Sequence, residues 1–230
     1  MLLFIHGMWG SGKQWNNYIN YFKERNIKAE AIDLKENMDI KKVSMADYIK
    51  KVSSMADKKI LVGHSMGGLI VQKVAEMVNV KGIVAIASAP PKGIKFRNKS
   101  MKIHSLKYLP QILLKKPFKP SYGFIKKYLL NCIDDKIARE IYEKLAYESP
   151  IVSYEIFMNK IDVDERKIKT SILFMAGKED RIAPPELEEE IAKKYNAKLT
   201  LYNGCHWIFD NYREIAENIM KFIIEIEGKE

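Results

Sequence analysis

Six short runs rich in Val, Ile and Leu punctuate the chain, at Leu2–Ile5, Ala29–Ile32, Lys59–Val62, Gly82–Ala87, Ser171–Met175 and Lys198–Tyr202. Each is bounded by Gly, Pro or polar clusters, the signature of buried strands. Helical periods fall between them. Tyr18, Ile19 and Phe22 share one side of a segment ending at Lys23, and Leu69, Val74 and Met77 do so within Met66–Val78. Pro185 opens a helix carrying Leu187, Ile191 and Tyr195, while Asp210 is expected to cap a last helix with Ile215, Ile219, Phe222, Ile223 and Ile226. Strands that alternate with helices demand crossover connections and hence a mostly parallel sheet with helices on both faces. The fold class is α/β, with about six strands.

The alternation fails between Pro90 and Lys169. Pro110, Pro117, Pro120 and Gly123 interrupt the first part, and helical patterns follow at Phe124–Ile133, Ile137–Ala146 and, after the start signal Ser149-Pro150, Ile151–Met158. Residues 1–89 and 166–230 are therefore assigned to an α/β core and residues 90–165 to a helical cap inserted over the strand ends. Charge marks the same segment. The formal charge of the chain is +10, yet Pro90–Leu130 holds ten Lys, one Arg and no acidic residue, with six aromatics. The remainder of the chain is close to neutral.

Composition excludes other classes. No stretch reaches the roughly 18–20 continuous apolar residues of a membrane helix, and "MLLFI" has no features of a signal peptide. Four isolated histidines offer no metal site. Cys132 and Cys205, far apart in sequence, are expected to stay as thiols, which suggests a reducing, cytoplasmic setting. Gly7–Lys13 fits G-x-x-x-x-G-K, a phosphate-cradling loop, but Gln14 replaces the Ser or Thr whose hydroxyl should reach Mg²⁺. The rival reading makes His6-Gly7-Met8 a turn that offers backbone N–H groups to a developing oxyanion.

"LVGHSMGG" carries the most chemistry. Gly63-His64-Ser65-Met66-Gly67 fits G-x-S-x-G between a strand and a helix. Such a turn forces the serine into a strained conformation, exposes its hydroxyl, and tolerates only small residues two positions away. A helix N-terminus then faces any negative charge that forms there. Serine needs a base, itself oriented by a carboxylate. Asp180 follows the strand "SILFMAG" and His206 follows "LTLYNG", both at strand carboxyl ends, where open α/β sheets bind ligands. Glu179, Asp162, Asp164 and Asp210 are the rival carboxylates. His64 is read as packing beside the serine, Cys205 as a buried small residue, and His6 and His104 have no assigned partner.

With "HG" after a strand, "GHSMGG", "GKEDRIAP" and "GCHW" before a final helix, the chain resembles the α/β-hydrolases over most of its length. The resemblance implies Ser65 as nucleophile, His206 as general base and acid, and Asp180 as orienting carboxylate. It also implies an oxyanion hole made by the N–H groups of Met8 and Met66, which favours the second reading of the first loop. It leaves Trp9 and Trp15 to pack around that turn. The activity implied is serine-dependent hydrolysis of carboxylic esters through an acyl-enzyme, on small-molecule esters and without metal or cofactor. Thioester, lactone, amide and carbon–carbon bonds are the alternatives within the same fold, and a nucleotide-binding protein built on Gly7–Lys13 is the alternative outside it. Ser65 argues against epoxide hydrolases and haloalkane dehalogenases, which resemble this fold but place Asp there.

Three accounts cover the basic cap: a solvated lysine face, a lid whose Leu106, Leu109, Ile112 and Leu113 line an acyl pocket, or weak association with an anionic membrane surface or acidic substrate. No nucleic-acid motif accompanies the charge, so no nucleic-acid partner is expected.

Overall fold

In the computed structural model, which describes residues 1–228, six strands form one parallel sheet. They are β1 (Leu2–Ile5), β2 (Ala29–Ile32), β3 (Ile60–His64), β4 (Gly82–Ile86), β5 (Ser171–Gly177) and β6 (Lys198–Tyr202), in the order β2-β1-β3-β4-β5-β6. The order reverses direction at β1, and every neighbouring pair is parallel. The central strands β1, β3 and β4 are buried at every position, as continuous apolar runs covered on two faces should be.

One face is covered by α2 (Met45–Ala56), α3 (Met66–Ala75) and α9 (Pro185–Lys194). Their side chains pack with Leu3, Ile5, Leu61 and Phe174. The other face is covered by α1 (Asn16–Lys23) and α10 (Tyr212–Glu227), around Phe4, Trp15, Tyr18, Val62 and Val84. Trp15 thus belongs to the core. Its ring stacks on Phe4 at 4.7 Å between centroids.

Two features depart from expectation near helix starts. Helix α2 has no counterpart among the expected helices, although Ser44 and Asp47 form a capping box at its start. Its buried residues Met45, Tyr48, Ile49, Val52 and Ala56 also follow a helical period. Asp210 does not cap α10. It accepts a hydrogen bond from Trp207 Nε1 at 3.1 Å, and the residue flanking the helix is Asn211.

Between β4 and β5 lie α4 (Lys99–Ser105), α5 (Leu109–Leu113), α6 (Tyr122–Tyr128), α7 (Asp135–Lys144) and α8 (Pro150–Phe157). Most of this segment packs around its own cluster of Met101, Tyr108, Phe118, Phe124, Ile125, Tyr128 and Leu130. Trp9 enters that cluster from the first loop, edge-on to Phe118. Helix α8 instead sends Val152 and Ile156 into the sheet-facing core, and Ser149 caps its start as the sequence suggested. The proline-broken stretch is more helical than expected because Pro110 falls in the first turn of α5, where the missing N–H costs nothing.

The expectation of two free thiols is overturned. Cys132, in the turn after α6, is disulfide-bonded to Cys205, with Cα atoms 5.7 Å apart across 73 residues of sequence. Sequence separation hides the pairing because the fold lays the turn after α6 against the loop after β6. With it goes the compositional argument for a reducing compartment, since such bonds persist in oxidising ones. No described helix is long and apolar enough to cross a membrane.

Candidate active site

Strand β3 delivers Ser65 to the carboxyl edge of the sheet. Its backbone sits at φ 55°, ψ −116°, in the region that L side chains rarely adopt. Hydrogen bonds hold it there: Ser65 N donates to Ile86 O at 2.9 Å, and Ser65 O accepts from Gly68 N and Ala89 N. The two glycines of the motif have a steric cause. A Cβ on Gly63 would lie 2.1 Å from Gly67 O, and one on Gly67 would lie 2.3 Å from Ile5 O.

Three loops converge on the hydroxyl. His206 Nε2 lies 3.0 Å from Ser65 Oγ, and His206 Nδ1 lies 2.8 Å from Asp180 Oδ2. Asp180 Oδ1 accepts from the N–H groups of Ile182 and Ala183 at 2.7 and 2.9 Å. A carboxylate held by two amides orients the imidazole with its proton on Nδ1, which leaves Nε2 to accept from the serine. Asp180 and His206 are 4 % and 3 % exposed, so the relay is shielded from water. The rival carboxylates lie elsewhere. Asp164 caps a short 3₁₀ turn and pairs with Arg166, and Glu179 is exposed.

The first loop packs over the same hydroxyl. A Cβ on Gly7 would lie 3.0 Å from Ser65 Cβ and 3.2 Å from His64 O, so a side chain there would have to push the elbow aside by a few tenths of an ångström. Met8 and Met66 both border the cavity beside Ser65. Met66 is the first residue of α3, and its N–H has no acceptor within the helix. Gln14 uses its side-chain oxygen to accept the Ser11 N–H at 3.2 Å, closing its own loop where a phosphate loop would hold Mg²⁺.

Two histidines acquire roles that the sequence did not reveal. Buried His6 donates from Nδ1 to Gly7 O at 2.8 Å, because its Nε2 accepts the Leu34 N–H at 3.0 Å. It therefore fixes the turn that carries Met8. His64 donates from Nε2 to His206 O at 2.9 Å, and its ring lies tilted against the His206 ring, 4.9 Å between centroids. Burial, then the charge that His206 can carry, holds its pKa well below the ordinary imidazole value, so it stays neutral. Position alone could have flagged His64. Nothing in sequence signals the contact of His6 with Leu34. Behind Asp180 lies Glu188, fully buried and without a hydrogen-bond partner for either oxygen. Burial, reinforced by Asp180, pushes its carboxyl far up, so it is protonated.

The cavity over Ser65 is lined by apolar side chains, among them Phe96, Met101, Phe124, Leu129, Phe157 and Trp207, and by no Asp, Glu, Lys or Arg. Met101, Phe124 and Leu129 come from the segment between β4 and β5. Leu106, Leu109, Ile112 and Leu113, the side chains expected to line such a pocket, do not reach it: Ile112 is buried in the segment's own cluster, and Leu106, Leu109 and Leu113 face solvent. Among the described residues no group of three His, Cys, Asp or Glu side chains is placed to share a metal ion.

Residues 2–218 match the family model described as "Alpha/beta hydrolase family". No curated protein matches the chain. Among solved structures, an extracellular α/β-hydrolase from a Paenibacillus species superposes with TM-score 0.76 at 18 % identity, covering 96 % of this chain and 97 % of that one. A structure from work on carboxylesterases of the thaumarchaeon Nitrososphaera gargenis gives TM-score 0.75 at 17 % identity, over 100 % and 91 %. A monoacylglycerol lipase from Paleococcus ferrophilus gives 0.71 at 22 % identity, over 98 % and 94 %.

Proposed function

Because the chain belongs to the alpha/beta hydrolase family, we propose that it is a serine hydrolase that cleaves carboxylic esters through an acyl-enzyme on Ser65. The observation that carries this reading is the unbroken hydrogen-bond relay from Ser65 through His206 to Asp180. Ser65 Oγ attacks the ester carbonyl while His206 Nε2 takes its proton. Asp180 steadies the imidazolium that results. The N–H groups of Met8 and Met66 receive the oxyanion, and the positive end of α3 adds to their field. Collapse expels the alcohol, protonated by His206. Water, deprotonated by the same imidazole, then attacks the acyl-Ser65 carbonyl and releases the acid.

The cavity narrows the substrate class. A lining without charged side chains other than the imidazole base favours uncharged acyl and alcohol groups, since a buried carboxylate or ammonium on the substrate would find no partner. Residues 90–165 act as the cap that supplies part of this wall.

The test is Ser65→Ala assayed on p-nitrophenyl acyl esters with labelling by a serine-directed fluorophosphonate. Hydrolysis falls to about background, a loss on the order of 10⁴-fold or more, and labelling disappears, with circular dichroism unchanged. Retained hydrolysis or labelling overturns the assignment. A panel that includes thioesters and lactones ranks the bond cleaved.

A further inference from the structure

From Lys99 to Leu113 the backbone is helical nearly without a break, running through α4, a turn of 3₁₀ helix and α5. One side of this rod is the expected one: Met101, Tyr108 and Ile112 are buried in the cap cluster. The opposite side is also apolar. Ile103, Leu106, Leu109, Leu113 and Leu114 stand 40 % to 67 % exposed, and at 100° per residue they fall within one arc together with Pro110 and the exposed Lys99 and Lys102. A solvent-facing helix side should be polar. Five large aliphatic side chains on one such side form a patch of the kind that marks an interaction surface.

Charge identifies what the patch meets. Lys99, Lys102, Lys107, Lys115 and Lys116 are exposed on or beside the same rod, within the run from Pro90 to Leu130 that holds eleven basic residues and no acidic one. A second copy of this chain would bring the same positive field against itself. Nucleic acid would use the lysines and leave the leucines in water. An anionic bilayer satisfies both, because lysines reach headgroup phosphates while leucines enter the acyl boundary.

We infer that the outer side of the α4–α5 rod is a docking surface for an anionic lipid bilayer, with Ile103, Leu106, Leu109, Leu113 and Leu114 inserted and the flanking lysines on the headgroups. The same rod gives Met101 to the cavity wall over Ser65. Docking therefore holds that cavity about one helix diameter, ~10 Å, from the membrane surface. The inference does not depend on the chemistry at Ser65.

The experiment is co-sedimentation of the full chain with vesicles of phosphatidylcholine alone or with roughly one-third phosphatidylglycerol, at low and high salt. The parent binds the mixed vesicles, binds phosphatidylcholine weakly, and loses affinity as salt rises. Ile103→Gln with Leu106→Gln, which keeps helix propensity, lowers partitioning by about tenfold or more. Lys115→Glu with Lys116→Glu abolishes the preference for anionic lipid. Hydrolysis of a soluble ester stays at the parental rate in both variants, and the melting temperature of the Ile103/Leu106 variant stays parental. Failure of the parent to bind mixed vesicles at low salt overturns the inference, and so does parental binding by the Ile103/Leu106 variant. Release of the parent by duplex DNA at matched phosphate would show a generic polyanion surface and overturn it as well.

Discussion

At Ser65 a strained backbone, two bare glycines and a helix N-terminus are one local device, and its partners reach it from the loops after β5 and β6. Each partner has a separable job. Asp180→Asn keeps the geometry but takes away the acceptor that fixes the His206 tautomer. The expected outcome is a fall in kcat of about 10⁴-fold, with the melting temperature little changed. Glu188 gives a prediction of opposite kind. Its pKa is raised in the fold, so the folded state holds a proton that the unfolded state releases above the ordinary carboxylate range. Its contribution to stability is complete at pH below that range and is lost as pH rises toward the folded value. Glu188→Gln should remove this loss, so denaturant midpoints of parent and variant should diverge increasingly as pH is raised from 4 to 8. His64 acts on the acid side. Its pKa is lowered in the fold, so stability is present above the ordinary imidazole value and is lost as pH falls below it. His64→Gln should flatten that part of the stability profile.

Among the elements, the loop after β6 is pinned from two directions. His64 holds the carbonyl of His206, and the disulfide holds the residue before it to the turn after α6. Asn131 Nδ2, in that same turn, also donates to Glu179 O at 3.0 Å, beside the acid loop. A cross-link over 73 residues closes a long loop in the unfolded chain, and such bonds contribute about 2–4 kcal/mol. Cys132→Ser should lower the free energy of unfolding, read from denaturant titration, by an amount in that range, and reductant should do the same to the parent while leaving the variant unaffected. Cys132 is exposed and Cys205 is buried, so the reductant acts at the Cys132 sulfur.

For the molecule as a whole, the uneven charge has a consequence that no single ion pair removes. Arg97 pairs with Glu190 across to α9, at 2.6 Å, but Lys99, Lys102, Lys107, Lys115 and Lys116 stand exposed in a stretch that holds no acidic residue. Repulsion of this kind is screened within about 8–10 Å at physiological ionic strength. Raising NaCl from 10 mM to 0.5 M should therefore raise the melting temperature, and Lys115→Glu with Lys116→Glu should reduce the gain. A melting temperature that falls with salt in the parent would show that attractive pairs outweigh the repulsion.

The sheet and its flanking helices were legible in the sequence because their signals are local: runs of period one, helices of period 3.6, and glycines where backbones touch. The order of Ser65, Asp180 and His206 along the chain was legible too, since each follows its own strand. Helix α2 was legible in principle, through Ser44, Asp47 and its apolar period, but lay in a stretch with few breaks to frame it. Contacts between segments distant in sequence were decided only by the tertiary structure. Cys132 meets Cys205, His6 meets Leu34, and the α4–α5 rod turns Met101 toward the cavity and Leu113 away from it. A helix with two apolar sides carries no periodic signal for which side is buried, and a pairing across a long loop leaves no trace in spacing. Packing makes both choices.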